Sequence, residues 1–73
     1  MKFNLYYAMH VDYEDPDMSR VYYISGDRAE CVDWVRQNFQ DFASEEFSDK
    51  FVEEMSEEDL LNCSSFIIRK YGE

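Results

Sequence analysis

From Lys2 to Tyr13 apolar and polar side chains alternate, with Phe3, Leu5, Tyr7, Met9, Val11 and Tyr13 on one side and Lys2, Asn4, Tyr6, Ala8, His10 and Asp12 on the other. A period of two sustained over twelve residues predicts a long strand with one buried face. A single strand is not stable in water, so the rest of the chain has to supply both a sheet and a layer to cover it.

The alternation stops at Glu14-Asp15-Pro16-Asp17, where Pro and Asp suit a turn, and resumes in the β-rich stretch Arg20-Val21-Tyr22-Tyr23-Ile24. These two segments read as a hairpin. Gly26-Asp27 ends the second strand, and Asp27 followed by Glu30 has the spacing of a capping box that opens a helix. Ala29, Val32, Val35, Phe39 and Phe42 then recur every three or four residues and give that helix one stripe for the sheet, with Cys31 and Trp34 beside it.

Ser44 can cap a second helix over 45–55, in which Phe47, Phe51 and Met55 share an inward face with Val52 next to it. Ser56 reads as another cap, opening a short turn that carries Leu60 and Leu61. The run from Ser64 to Tyr71, β-branched and apolar at its centre, suits a last strand buried on both sides. The expected fold is α+β in the order ββααβ: a small antiparallel sheet, made of the hairpin and the C-terminal strand, packed against two helices. No repeat, low-complexity tract or linker divides it, so residues 1–73 read as a single domain.

A chain of 73 residues buries only about 60% of the surface its unfolded form exposes, which leaves a thin core. Thirteen aromatic residues (six Tyr, six Phe and Trp34) offset this, since each buried ring removes roughly 150–250 Å² from water.

Catalytic and metal chemistry find little support. His10 is the only histidine, which excludes multi-histidine metal sites. Cys31 and Cys63 match no CxxC pattern, and nothing around either cysteine activates a thiolate for a Cys–His pair; two free thiols or one disulfide both fit them. The acids at 12–17 lack the glycine and the closing glutamate of a calcium loop. Two glycines cannot build a phosphate-cradling loop. The chain therefore reads as non-catalytic and in need of no cofactor. No apolar stretch approaches the roughly 20 residues of a membrane span, and the N-terminal alternation is unlike a secretory leader, so the expected compartment is the cytoplasm.

Seventeen acidic and seven basic residues give a formal charge of −10, and that charge is localised. Residues 44–59 hold Glu45, Glu46, Asp49, Glu53, Glu54, Glu57, Glu58 and Asp59 against Lys50, for −7, and residues 12–17 hold Asp12, Glu14, Asp15 and Asp17 with no base, for −4. The remainder sums to +1. On a continuous helix Glu45, Glu46, Asp49 and Glu53 lie opposite Phe47, Phe51 and Met55, and Glu57 extends the row if the helix continues. Glutamates one turn apart hold carboxylates roughly 5–6 Å apart, comparable to successive phosphates of a nucleic-acid strand. Such a surface repels nucleic acid and anionic membrane and favours a basic protein partner. The alternative is a solvated face that serves solubility alone. Tyr6, on the polar side of the first strand, could join Tyr22 or Tyr23 in an aromatic contact with a partner, or pack under a helix.

The short length, the acidity, the Tyr and Phe content and the hairpin feeding a capped helix and then a glutamate-rich helix together resemble small phage-encoded inhibitors of the anti-CRISPR and DNA-mimic type. The likeness is one of size, charge and element order over the whole chain. It implies a stoichiometric inhibitor in the host cytoplasm that fills a basic nucleic-acid-binding site of a defence nuclease or CRISPR complex. Glu45, Glu46, Asp49, Glu53 and Glu57 would then imitate phosphates, with Glu54, Glu58 and the acids at 12–17 extending the footprint. The rival reading is an acidic interaction module, or a homodimer formed through an apolar face, with no nuclease target.

Overall fold

The structure, a computed structural model, describes residues 4–43 and 46–72. Three antiparallel strands, β1 (Tyr6–His10), β2 (Arg20–Ser25) and β3 (Phe66–Lys70), form one sheet in the order β2-β1-β3, so the first strand is central. Four helical segments lie between β2 and β3: α1 (Arg28–Gln37), α2 (Phe39–Phe42), α3 (Asp49–Glu54) and α4 (Glu57–Ser64). The expected α+β class and antiparallel sheet are present; the first expected helix is divided into α1 and α2, the second is shortened to α3, and the short turn expected after Ser56 is the full helix α4. The molecule measures 16 Å along its thinnest direction, which leaves room for one sheet and one helical layer. Among the described residues no helix is long and apolar enough to cross a membrane.

The alternation in the first strand is real, but the helices cover the opposite side from the one it predicts. Directly paired residues share a face, so the register defines rows across the sheet. On the helix side stand Ser25–Tyr6–Lys70, Tyr23–Ala8–Ile68 and Arg20–His10–Phe66; on the other stand Ile24–Tyr7–Arg69 and Val21–Met9–Ile67. Ala8, which reads as polar-side in the sequence, is fully buried with Cys31, Val35, Phe39, Val52, Leu60 and Phe66. Its single methyl group lets α1 approach the central strand closely, and the volume that Ala8 lacks comes from rings on other elements. Leu5, Tyr7 and Met9, expected in the core, lie on the uncovered side, and Tyr13 beyond the strand is exposed. Phe3 is outside the described residues. The same one-sided cover makes β3 buried through Phe66 alone, not on both sides.

A bulge explains where the rings come from. The β1–β2 register slips between Ala8 and Met9, leaving Tyr22 as the extra residue. Tyr22 and Tyr23 consequently both turn to the helix side, where Tyr23 stacks on Trp34 at 5.7 Å and Tyr22 meets Trp34 at 6.2 Å and Phe42 at 5.0 Å. His10, expected on the strand surface, sits among these rings, 5.3 Å from both Phe42 and Phe66.

The caps set the helix boundaries. Asp27 accepts a hydrogen bond from the Ala29 N–H at 2.9 Å, as expected of an N-cap. Its reciprocal partner works through an intermediate: the Asp27 N–H donates to the Ser25 hydroxyl, and that hydroxyl donates to the Glu30 carboxylate. Asn38 ends α1 by returning both its backbone N–H and its side-chain amide to the Trp34 carbonyl, the latter at 2.8 Å. Phe39 and Phe42 follow in α2. Ser65 ends α4 in the left-handed region, at φ 60°.

Candidate functional site

The expected acidic helix over 45–55 is shorter and is capped elsewhere. Ser48 caps α3 by accepting from the Phe51 N–H at 3.1 Å, and the helix stops at Glu54 because Met55 and Ser56 are extended. Ser44 and Glu45 lie outside the described residues. Glu46 precedes the helix, and the segment leading into it is tied down by Gln40, whose side-chain amide exchanges two hydrogen bonds with the backbone of Phe47. Ser56 then caps α4 by accepting from the Asp59 N–H, as the sequence predicts, and α4 runs on to Ser64.

The break changes which face of α3 is buried. Val52, not Phe51, enters the core; Phe51 is 52% exposed and stacks on Phe47 at 5.5 Å. Phe47 and Met55 pack against the edge of the core as expected, and Phe51 alone of the three is left outside it. Phe47, Phe51, Met55 and Cys63 line a shallow apolar groove between α3 and α4, with Glu54 and Asp59 among its walls.

Arg36 locks this arrangement. Its Nη1 donates to the carbonyl oxygens of Val52 at 2.6 Å, Met55 at 2.9 Å and Glu53 at 3.3 Å, supplying a cation to the C-terminal end of α3, where the Val52 carbonyl also accepts from the Met55 N–H. Charge and backbone polarity agree at three points of the segment and conflict at one: Asp49 lies in the first turn of α3, Glu57, Glu58 and Asp59 lie in the first turn of α4, and the guanidinium closes α3, whereas Glu53 and Glu54 sit in the last turn of α3. Part of the acidity that reads in the sequence as an uncompensated row is thus distributed over two helix N-termini, where carboxylates are favourable.

The carboxylates divide into three groups. Glu46, Asp49, Glu53, Glu54, Glu58 and Asp59 are exposed, and none of them forms an ion pair with another described residue. Glu57 is different: it pairs with Arg28 at the start of α1, so it does not continue the row of free carboxylates. Asp12, Glu14, Asp15 and Asp17 form a separate patch at the hairpin tip. There the Asp12 carboxylate accepts from the N–H groups of Glu14 and Asp15, and a short 3₁₀ turn spans Pro16–Met18. The tip lies where β1 ends and β2 begins, whereas Glu57, beside Arg28, lies at the other end of the sheet. Tyr6 contributes to neither patch, since its ring packs against the core from the helix side of the sheet.

Both cysteines are free, Cys31 buried and Cys63 exposed. Burial, the dominant influence, pushes the Cys31 thiol above its ordinary pKa, against the lowering effect of a backbone hydrogen bond at Ser25. Among the described residues no three His, Cys, Asp or Glu side chains come together as a metal site. No family model matches the chain, and neither a curated protein nor a solved structure similar to it was found.

Proposed function

We propose that this protein is a non-catalytic binding protein that presents the carboxylates of α3 and α4 to a basic, nucleic-acid-binding site on another protein and blocks that site by occupancy. The observation that carries this reading is the set of six exposed carboxylates between Glu46 and Asp59, none of them neutralised by a described base. Asp49 and Glu53 stand one turn apart on α3, at roughly the 5–6 Å spacing that lets a phosphate-binding groove accept them in place of a strand. The target class follows from the resemblance to phage-encoded DNA-mimic inhibitors: a defence nuclease or a CRISPR complex in the host cell. Long-range attraction between a −10 chain and a basic channel would speed the encounter and make it dependent on salt.

The test is affinity capture from a bacterial host lysate, comparing the wild-type protein with a Glu46→Lys, Asp49→Lys, Glu53→Lys triple variant. These three side chains are exposed, so reversing them leaves the core intact. A nucleic-acid enzyme retained at low salt, released at high salt and lost with the triple variant is the expected result. An unchanged set of captured proteins would contradict the proposal.

A further inference from the structure

The uncovered side of the sheet is apolar apart from Arg69. Its two rows, Ile24–Tyr7–Arg69 and Val21–Met9–Ile67, are flanked by Leu5 and Tyr71, and in the monomer Ile24 is 62%, Tyr71 73%, Val21 47% and Leu5 41% exposed. Leu5, Tyr7, Met9, Val21, Ile24 and Tyr71 line one shallow groove on this side. A sheet with one face in water alternates apolar and polar residues, whereas apolar residues on both faces are the pattern of a sheet covered on both sides. From strand spacing and length, the patch is on the order of 500 Å², near the upper end for the largest apolar patch on a monomer.

We infer that a second copy of this chain covers this face, the two sheets packing back to back about a two-fold axis perpendicular to the strands. Two such patches bury on the order of 1,000 Å² in total, which reaches the size a specific interface needs and places the dimer at the weak end of the range. The charges favour a copy of the same chain over an unrelated basic partner. The rows on this face hold no acid and a single ionised group, Arg69, at the end where β3 finishes. The opposite end of the sheet leads into the hairpin tip, whose charge over residues 12–17 is −4. A two-fold axis perpendicular to the strands sets the sheets antiparallel and brings each Arg69 toward the partner copy's acidic tip. An axis parallel to the strands would set tip against tip, which like charges oppose. The helix layers, with the carboxylates of α3 and α4, then face outward on both sides.

The test is sedimentation of the full chain from about 1 µM to about 500 µM, the range in which a small interface of this kind dissociates. Wild type is expected to pass from monomer to dimer. Ile24→Asp, at an exposed position, is expected to stay monomeric at every concentration with an unchanged circular dichroism spectrum. Arg69→Glu is expected to weaken dimerisation about tenfold, and adding Asp15→Arg with Asp17→Arg to it is expected to restore most of the loss. A wild type that stays monomeric throughout, a dimer that survives Ile24→Asp, or a charge swap that restores nothing would each overturn the inference. Capture of a nucleic-acid enzyme by the Ile24→Asp monomer separates this result from the function proposed above, because the acidic helices are untouched.

Discussion

The guanidinium of Arg28 is paired with the carboxylate of Glu57, joining the first turn of α1 to the first turn of α4. Both side chains stay nearly half exposed, so the pair fixes the position of α4 more than it stabilises the fold. A double-mutant cycle with Arg28→Ala and Glu57→Gln is expected to give a coupling of about 0.2–1 kcal/mol that fades in concentrated salt, as exposed pairs do. Urea denaturation of the four proteins at low and high salt measures it.

Arg36 has a larger effect because it serves the backbone. Arg36→Ala removes the donor to three carbonyl groups around the end of α3, and the expected loss is about 1.5–3 kcal/mol, as for hydrogen bonds to a charged group. Hydrogen exchange should show the loss first in the amides of α3.

Phe39 and Phe51 test which phenylalanines form the core. Phe39 is fully buried and Phe51 is half exposed against Phe47. Phe39→Ala is expected to cost about 3–5 kcal/mol, enough to unfold much of a domain this small, while Phe51→Ala is expected to cost about 1 kcal/mol or less. Equal losses at both sites would mean that α3 is rotated from the position described here.

The two cysteines should differ in the same sense. In the native protein Cys63 is expected to react with a thiol reagent while Cys31 reacts only on unfolding. Because burial raises the Cys31 pKa above its ordinary 9.0, the folded state keeps a proton that the unfolded chain releases. Its contribution to stability is therefore complete below that value and declines as pH rises through and beyond it. The urea midpoint should fall as pH rises above about 9, and Cys31→Ala should reduce that slope.

Much of this architecture is legible in the sequence wherever a local signal decides the outcome. The hairpin, the Asp27 and Ser56 caps, the Val35–Phe39 stripe and the β-branched last strand all follow from spacing and side-chain type. What fails is what depends on neighbours distant in the chain. Alternation establishes that β1 has two unlike faces but not which one the helices choose, and Ala8 and His10 read as the polar side until Trp34, Phe42 and Phe66 are seen to supply the missing volume. The register slip at Ala8/Met9, which turns two adjacent tyrosines the same way, leaves no mark in a period-two pattern. The acidic segment is legible as a segment, but its division at Met55–Ser56 rests on Arg36 reaching across from α1, sixteen residues before Val52. The Arg28–Glu57 pair is equally long-range, and only the structure separates that glutamate from the free carboxylates.

The most direct measurement is displacement of a fluorescent DNA duplex from the nucleic-acid enzyme captured by this protein, followed by anisotropy as the protein is added. Wild type is expected to release the duplex as its binding saturates, less effectively as salt rises, and the Glu46→Lys, Asp49→Lys, Glu53→Lys variant is expected to release none. A duplex that stays bound while the protein binds alongside it, or a variant that displaces DNA as well as wild type does, would contradict the account.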